Sequence, residues 1–143
     1  MELKFMTWLT WALLSALFAG ATAVLAKVGV EHVNSNTATA IRTTVVLIFS
    51  WMIVLFTSSQ SLTAIGRRTW VFLILSGLAT GLSWLCYFRA LQLGQASQVA
   101  PVDKLSVVVA IALAAIFLRE PINWHHWLGG VLIFTGATIL AYA

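Results

Sequence analysis

Three stretches free of Asp, Glu, Lys and Arg decide what this chain can become. Twenty-two residues separate Lys4 from Lys27, 24 separate Arg42 from Arg67, and 20 separate Arg68 from Arg89. Beyond Glu120 no further acid, lysine or arginine occurs. A helix rising about 1.5 Å per residue needs roughly 20 apolar residues to cross a hydrocarbon layer of about 30 Å. Composition agrees: 61% of the 143 residues are hydrophobic and 8% charged, where a soluble domain carries about 25% charge. The expected fold is all-α, a multi-pass membrane protein built as a bundle of five transmembrane helices in one domain over 1–143. The helices are placed at about 8–27, 38–56, 70–90, 99–118 and 124–142.

The connectors and flanks support that division. Polar clusters occur at Val33–Asn36 and Thr57–Ser61, and Leu93–Gln98 precedes Pro101, which can begin a helix because its missing N–H falls in the first turn. Pro121 closes the fourth span. Trp8, Trp11, Trp70, Trp124 and Trp127 fall near predicted ends, as an interfacial belt requires. The uncharged run Phe5–Ala26 is longer than a signal-peptide core and is read as a retained first span. The connections are too short to hold a soluble domain. No nucleophile motif, metal triad or phosphate loop accompanies the Ser and His residues, so neither an enzyme nor a cofactor is expected. His125 and His126 diverge on a helix, so no metal site is expected there. With no basic block longer than Arg67-Arg68, nucleic acid is not an expected partner.

The fourth span poses a problem. Its apolar part, Leu105–Leu118, is 14 residues and covers roughly 21 Å, short of the bilayer core. Asp103 and Lys104 stand at its head, where ionised groups are costly: about 2.5–3.5 kcal/mol at the bilayer centre on insertion scales, less near an end. Neighbours on a helix diverge by about 100°, so each is expected to find a partner elsewhere, Asp103 with Arg42 above all. Lys27, Glu31, Arg42 and Arg89 share that side of the membrane. They form a predicted vestibule, with Lys27 and Glu31 spaced to brace the first helix end. Glu120 stands beside Arg119 at a helix exit, either functional or an interfacial ion pair. Trp84 and Tyr87 lie within a span, as candidate cavity walls or as simple packing.

An odd number of spans puts the termini on opposite sides. Lys4, Arg67, Arg68 and Arg119 then face Lys27, Arg42, Arg89 and Lys104, four against four, so a raw count gives the positive-inside rule no excess to read. Either the exposed Arg67-Arg68 and Lys4 set one orientation, or the chain inserts both ways and opposite copies pair. Gly77 and Gly81 in the third span, and Gly129 and Gly136 in the fifth, are spaced for close packing within a chain or across a dimer.

Three stretches carry a resemblance: AKVGVEHVNSNTATAIR (Ala26–Arg42), RALQLGQASQVAPVDKLSVV (Arg89–Val108) and FLREPINWHHWLGGVLIFTGATIL (Phe117–Leu140). The first ends one helix and enters the next with an arginine. The second carries an Ala-Ser-x-x-Ala-Pro turn, and the third a glutamate followed by Trp-x-Gly. In this order they resemble a single EamA-type unit of the drug/metabolite transporter superfamily. That resemblance implies a secondary carrier of small organic solutes. With a solute as cargo, the charges and rings singled out above, Asp103, Lys104, Arg42, Glu31, Lys27, Glu120, Trp84 and Tyr87, are expected to bind or gate it. Larger relatives carry two inverted units, and small multidrug exporters pair as antiparallel dimers whose last-helix glycines resemble Gly129 and Gly136. Those exporters depend on a first-helix glutamate, which Phe5–Ala26 lacks. The expected partners are the lipid bilayer, a small organic solute and a second copy of the chain. The expected location is the bacterial cytoplasmic (inner) membrane. A lipid-carrier flippase subunit and a non-transporting membrane assembly protein are the rival expectations.

Overall fold

The computed structural model describes residues 2–57 and 62–143, with side chains from Trp8 onward. The side chains of Glu2 and Lys4, and the polar breaker beyond Thr57, lie outside the described residues. Six α-helices follow in order: α1 (Glu2–Val30), α2 (Ser35–Thr57), α3 (Arg67–Leu93), α4 (Ala96–Asp103), α5 (Ser106–Leu113) and α6 (Trp124–Ala141). A 3-10 turn at Leu62–Ala64 precedes α3, and α5 widens into a π turn at Ala114–Leu118. Four apolar stretches are long enough to cross a membrane: Trp8–Val30, Ser35–Thr57, Arg67–Leu93 and Ala96–Leu118. The last helix, α6, is not one of these four: it has 18 residues, about 27 Å, with His125 and His126 in its first turn. The chain is an all-helical, multi-pass integral membrane protein.

Most helix ends run past the ranges expected from the charges. α2 begins at Ser35 and α3 at Arg67, α3 continues to Leu93, and the fourth span begins at Ala96. Ranges drawn from charge-free intervals and polar connectors stop short of these ends. A helix has no reason to end where such an interval does, because its backbone hydrogen bonds stay favourable through the headgroup zone while Lys and Arg stems reach outward.

Two compact units divide the chain. In the unit formed by residues 1–28 and 93–143, α6 packs on α4 and α5. Gly130 and Ala137, seven residues apart on α6, are its buried positions. The unit of residues 29–92 has a small core of Val30, Ser35, Thr39, Phe88 and Leu91. Little else is covered by protein: no more than 11% of the most apolar window of any of the four long spans is buried. Leu, Ile, Val and Phe side chains are exposed along the spans, which suits them to a lipid solvent.

Polar groups in the spans are satisfied close to home. The hydroxyls of Thr39, Thr43, Thr44, Thr57, Thr80, Thr135 and Thr138 each donate to the carbonyl four residues earlier, at 2.6–3.0 Å. A threonine can therefore face lipid without carrying an unpaired O–H into it.

The fourth span resolves its length problem by starting early and bending. Pro101 does not lie in a first turn, as expected, but in the second turn of α4. There its absent N–H withdraws a bond from Ser97. Beyond it the backbone tightens: Lys104 N–H donates to Pro101 C=O, Leu105 to Val102, Val107 to Lys104 and Val108 to Leu105, all at 3.0 Å. These i→i−3 bonds form a 3-10-like joint between α4 and α5. Asp103 ends α4, and Lys104 sits in the joint. The span closes on Arg119, a left-handed residue with φ 55° and ψ 34°. The Arg119 N–H donates to Ala114 C=O, as does that of Glu120 at 3.3 Å.

Pro101→Ala restores the missing donor, so it is expected to raise stability against denaturation in detergent by about 1–3 kcal/mol. It should also slow amide exchange around Leu105. Arg119→Gly removes a left-handed penalty of about 1 kcal/mol and is expected to stabilise by a similar amount in the same assay.

Candidate functional site

Arg42 is the charged residue set furthest into the apolar part of the 29–92 unit. It is the eighth residue of α2, roughly 10 Å along the helix from Ser35. Its guanidinium carbon lies 4.2 Å from the centroid of the Trp84 ring and 5.5 Å from that of Phe88. Trp84 and Phe88 are four apart on α3, hence on one face, and together form a platform for one planar cation. Phe88 is 3% exposed, so one wall of that platform is fixed by the core. Tyr87 meets Phe88 edge-on, with centroids 6.4 Å apart and planes at 66°. Such cation–π contacts contribute about 0.5–2 kcal/mol, the larger values where water is excluded.

One turn along α3, Gln92 ties the same region together. Its amide nitrogen donates to the Val33 carbonyl at 2.6 Å and the Val30 carbonyl at 3.3 Å. Its amide oxygen accepts from Arg89 Nη1 at 3.1 Å. The last carbonyls of a helix lack intrahelical partners, so Gln92 satisfies the end of α1 and the turn that leads into α2.

In the other unit the charges behave differently from expectation. Asp103 and Lys104 do meet: Lys104 Nζ lies 3.4 Å from Asp103 Oδ2. The angular divergence of neighbours is overcome because the lysine stem is long and the pair sits at the joint, not within a regular helix. Both groups are solvent-accessible, so screening leaves the pair little energy to contribute. Lys27 donates to the Gly94 carbonyl at 2.9 Å, in the link before α4. Glu31, in the 29–92 unit, is exposed in the turn after α1. Glu120 is exposed in the link to α6, and among the described residues no ion pair joins it to Arg119.

A cavity of about 220 Å³ opens between α5 and α6. Val108, Ile111, Ala112, Trp127, Val131 and Phe134 line it, with Ile122, His126 and Gly130. His126 is occupied locally: its Nδ1 accepts the Asn123 N–H at 3.1 Å, taking the place that Glu or Gln holds in a capping box. A methyl group added at Gly77, Gly81, Gly129 or Gly136 would meet nothing within 4 Å, so no side chain described in the chain requires glycine there.

The profile of the EamA-like transporter family matches residues 6–142, nearly the whole sequence. The chain belongs to that family. A Sinorhizobium sp protein named "Uncharacterized transporter in cobO 3'region" is 54% identical over 136 residues, covering 94% of this chain and 96% of that one. The Bacillus subtilis (strain 168) "Uncharacterized transporter YxxF" is 26% identical across 90% of this chain but only 40% of its own length. A "Probable 4-amino-4-deoxy-L-arabinose-phosphoundecaprenol flippase subunit ArnE" of Pseudomonas fluorescens (strain Pf0-1) is 31% identical over 52% of this chain and 63% of its own. No solved structure matches.

In this EamA unit, the stretch Ala26–Arg42 spans the end of α1 and the first turns of α2, ending at the stacked arginine. Arg89–Val108 contains Gln92, the link at Gly94 and the Pro101 joint. Phe117–Leu140 contains Arg119 and the cap of α6. Sequence reasoning picked out Arg42 and Trp84 but missed Phe88 and Gln92. The usable signal was spacing: Trp84, Phe88 and Gln92 recur every four residues, a single face carrying two rings and then an amide.

Gln92→Leu keeps the volume but orphans the carbonyls of Val30 and Val33. The expected loss is about 1–2 kcal/mol of stability in detergent denaturation, with faster amide exchange in the 31–34 turn.

Proposed function

We propose that this protein is a secondary carrier of small organic solutes that works by alternating access as a pair of five-helix chains, without enzymatic chemistry. It is placed in the bacterial cytoplasmic membrane, and one transmembrane domain spans residues 1–143. One observation carries the reading: a 54% identical relative named as a transporter aligns with 94% of this chain over 96% of its own length. The Bacillus protein is matched over only 40% of its length, so it has room for a second such unit. A protein with a single such unit would obtain the second by pairing with itself. The even division of lysine and arginine between the two faces supports pairing of opposite orientations.

Under this reading Asp103, Lys104, Arg42, Glu31, Lys27, Glu120, Trp84 and Tyr87 bind or gate the solute. The joint at Lys104–Leu105 is a place for the fourth span to flex, because i→i−3 segments inside a helix commonly serve as hinges. Gly129 and Gly136, with Gly77 and Gly81, face the second copy. The partial match to the flippase subunit favours a second reading, in which the cargo is a lipid carrier. Flux of a water-soluble solute in proteoliposomes separates the two.

Reporter fusions at both termini test the arrangement. The expected result is signal from each end on both sides of the membrane. A single orientation in a protein that stays monomeric in bilayers would remove the pairing. The glycines give a test by sign. If lipid alone covers them, Gly129→Ala and Gly136→Ala stabilise α6 by about 0.5–1 kcal/mol and leave the assembly state unchanged. The pairing reading expects at least a tenfold weaker dimer in quantitative cross-linking, despite the better helix propensity.

A further inference from the structure

We propose that Arg42, laid on Trp84 and Phe88, is a receptor for an oxyanion, and that the transported solute carries a carboxylate or phosphate. The assignment deepens the carrier reading and rests on it only in calling the ligand a solute.

The argument concerns what the guanidinium still lacks. Its central carbon lies 4.2 Å from the centroid of the Trp84 ring, and the group carries five N–H donors. Among the described residues none of those donors meets an acceptor. The nearby threonine hydroxyls are engaged, Thr39 donating to Ser35 and Thr43 to Thr39, and the Tyr87 phenol interacts with the guanidinium electrostatically without a hydrogen bond to it. Gln92 gives its amide oxygen to Arg89. Glu31, the sole acid among residues 29–92, stands exposed in the turn after α1. A cation set into an apolar span with an unpaired edge is costly unless something binds it.

The geometry also selects the ligand. A guanidinium seated 4.2 Å from the Trp84 centroid keeps its planar fork of donors, the arrangement that grips two oxygens of one anion. A lysine could reach headgroup water as a flexible point charge; a stacked arginine is preset for a planar or tetrahedral group offering paired oxygens. Halide ions lack that pair. The same oxygen chemistry occurs on a free solute and on a lipid headgroup, so the test must tell these sources apart.

The test uses the full-length protein in maltoside micelles, which contain no phosphate, titrated with acetate or inorganic phosphate at constant ionic strength. Tryptophan fluorescence reports the ring beneath Arg42. Saturable binding of one or both anions, unaffected by chloride, is expected for the wild type and for Arg67→Gln, whose charge lies at the far end of α3. Arg42→Lys keeps the charge and loses the fork, and should weaken binding at least tenfold. Arg42→Gln should abolish it, and Trp84→Phe should abolish the signal while calorimetry still detects the ligand. Should Arg42→Gln fail to fold, the arginine-to-lysine comparison decides alone.

Repeating the titration in phosphatidylglycerol nanodiscs separates the sources. Suppression of free-anion binding assigns a headgroup to the site, and undiminished binding assigns a soluble anion; both are consistent with the receptor. Absence of saturable binding, or equal binding by wild type and Arg42→Lys, overturns it. Solute flux surviving that result leaves the carrier standing with Arg42 outside its binding site.

Discussion

A span in hydrocarbon must pair its own polar groups, because no water is there to do so. Much of what is described follows from that constraint. The threonines fold their hydroxyls back onto their own helices. Gln92 covers the carbonyls released where α1 ends. Lys27 reaches a carbonyl in the link after α3. In water these bonds would contribute little; in lipid their absence would leave donors and acceptors with no substitute.

The same constraint makes the exceptions informative. Pro101 leaves one carbonyl without its helical donor, and the backbone answers with a run of tighter bonds rather than a straight helix. Arg119 holds a conformation that suits glycine. Arg42 leaves its fork unpaired above two rings. Structures retain local costs of this kind where function opposes the lowest local energy. These three lie in the stretches Ala26–Arg42, Arg89–Val108 and Phe117–Leu140 that carry the family resemblance.

The fold was legible in the sequence because its dominant signal is length without charge, and lipid imposes that signal on every span. Helix ends were less legible: Arg67 and Lys27 read as boundaries but sit inside helices, since charge marks the membrane surface and not the end of hydrogen bonding. Pro101 was misplaced for a related reason. Its role depends on where α4 starts, and polar Ser97 and Gln98 disguise the first turn as a loop. Among the candidate residues, Asp103 and Lys104 stood out as charges, but their mutual pairing depends on a joint that angular arithmetic for a regular helix does not contain. Arg42 was conspicuous alone, whereas its platform was not: Phe88 is one of many aromatic residues in the spans, and only the fold shows which ring lies beneath the cation.

The hold of Gln92 on the turn between α1 and α2 bears on how the chain is assembled. When the first two helices leave the ribosome, the segment joining them has no amide to complete it, because that amide lies at the far end of the third. The turn between them therefore lacks that bond until the end of α3 has been made.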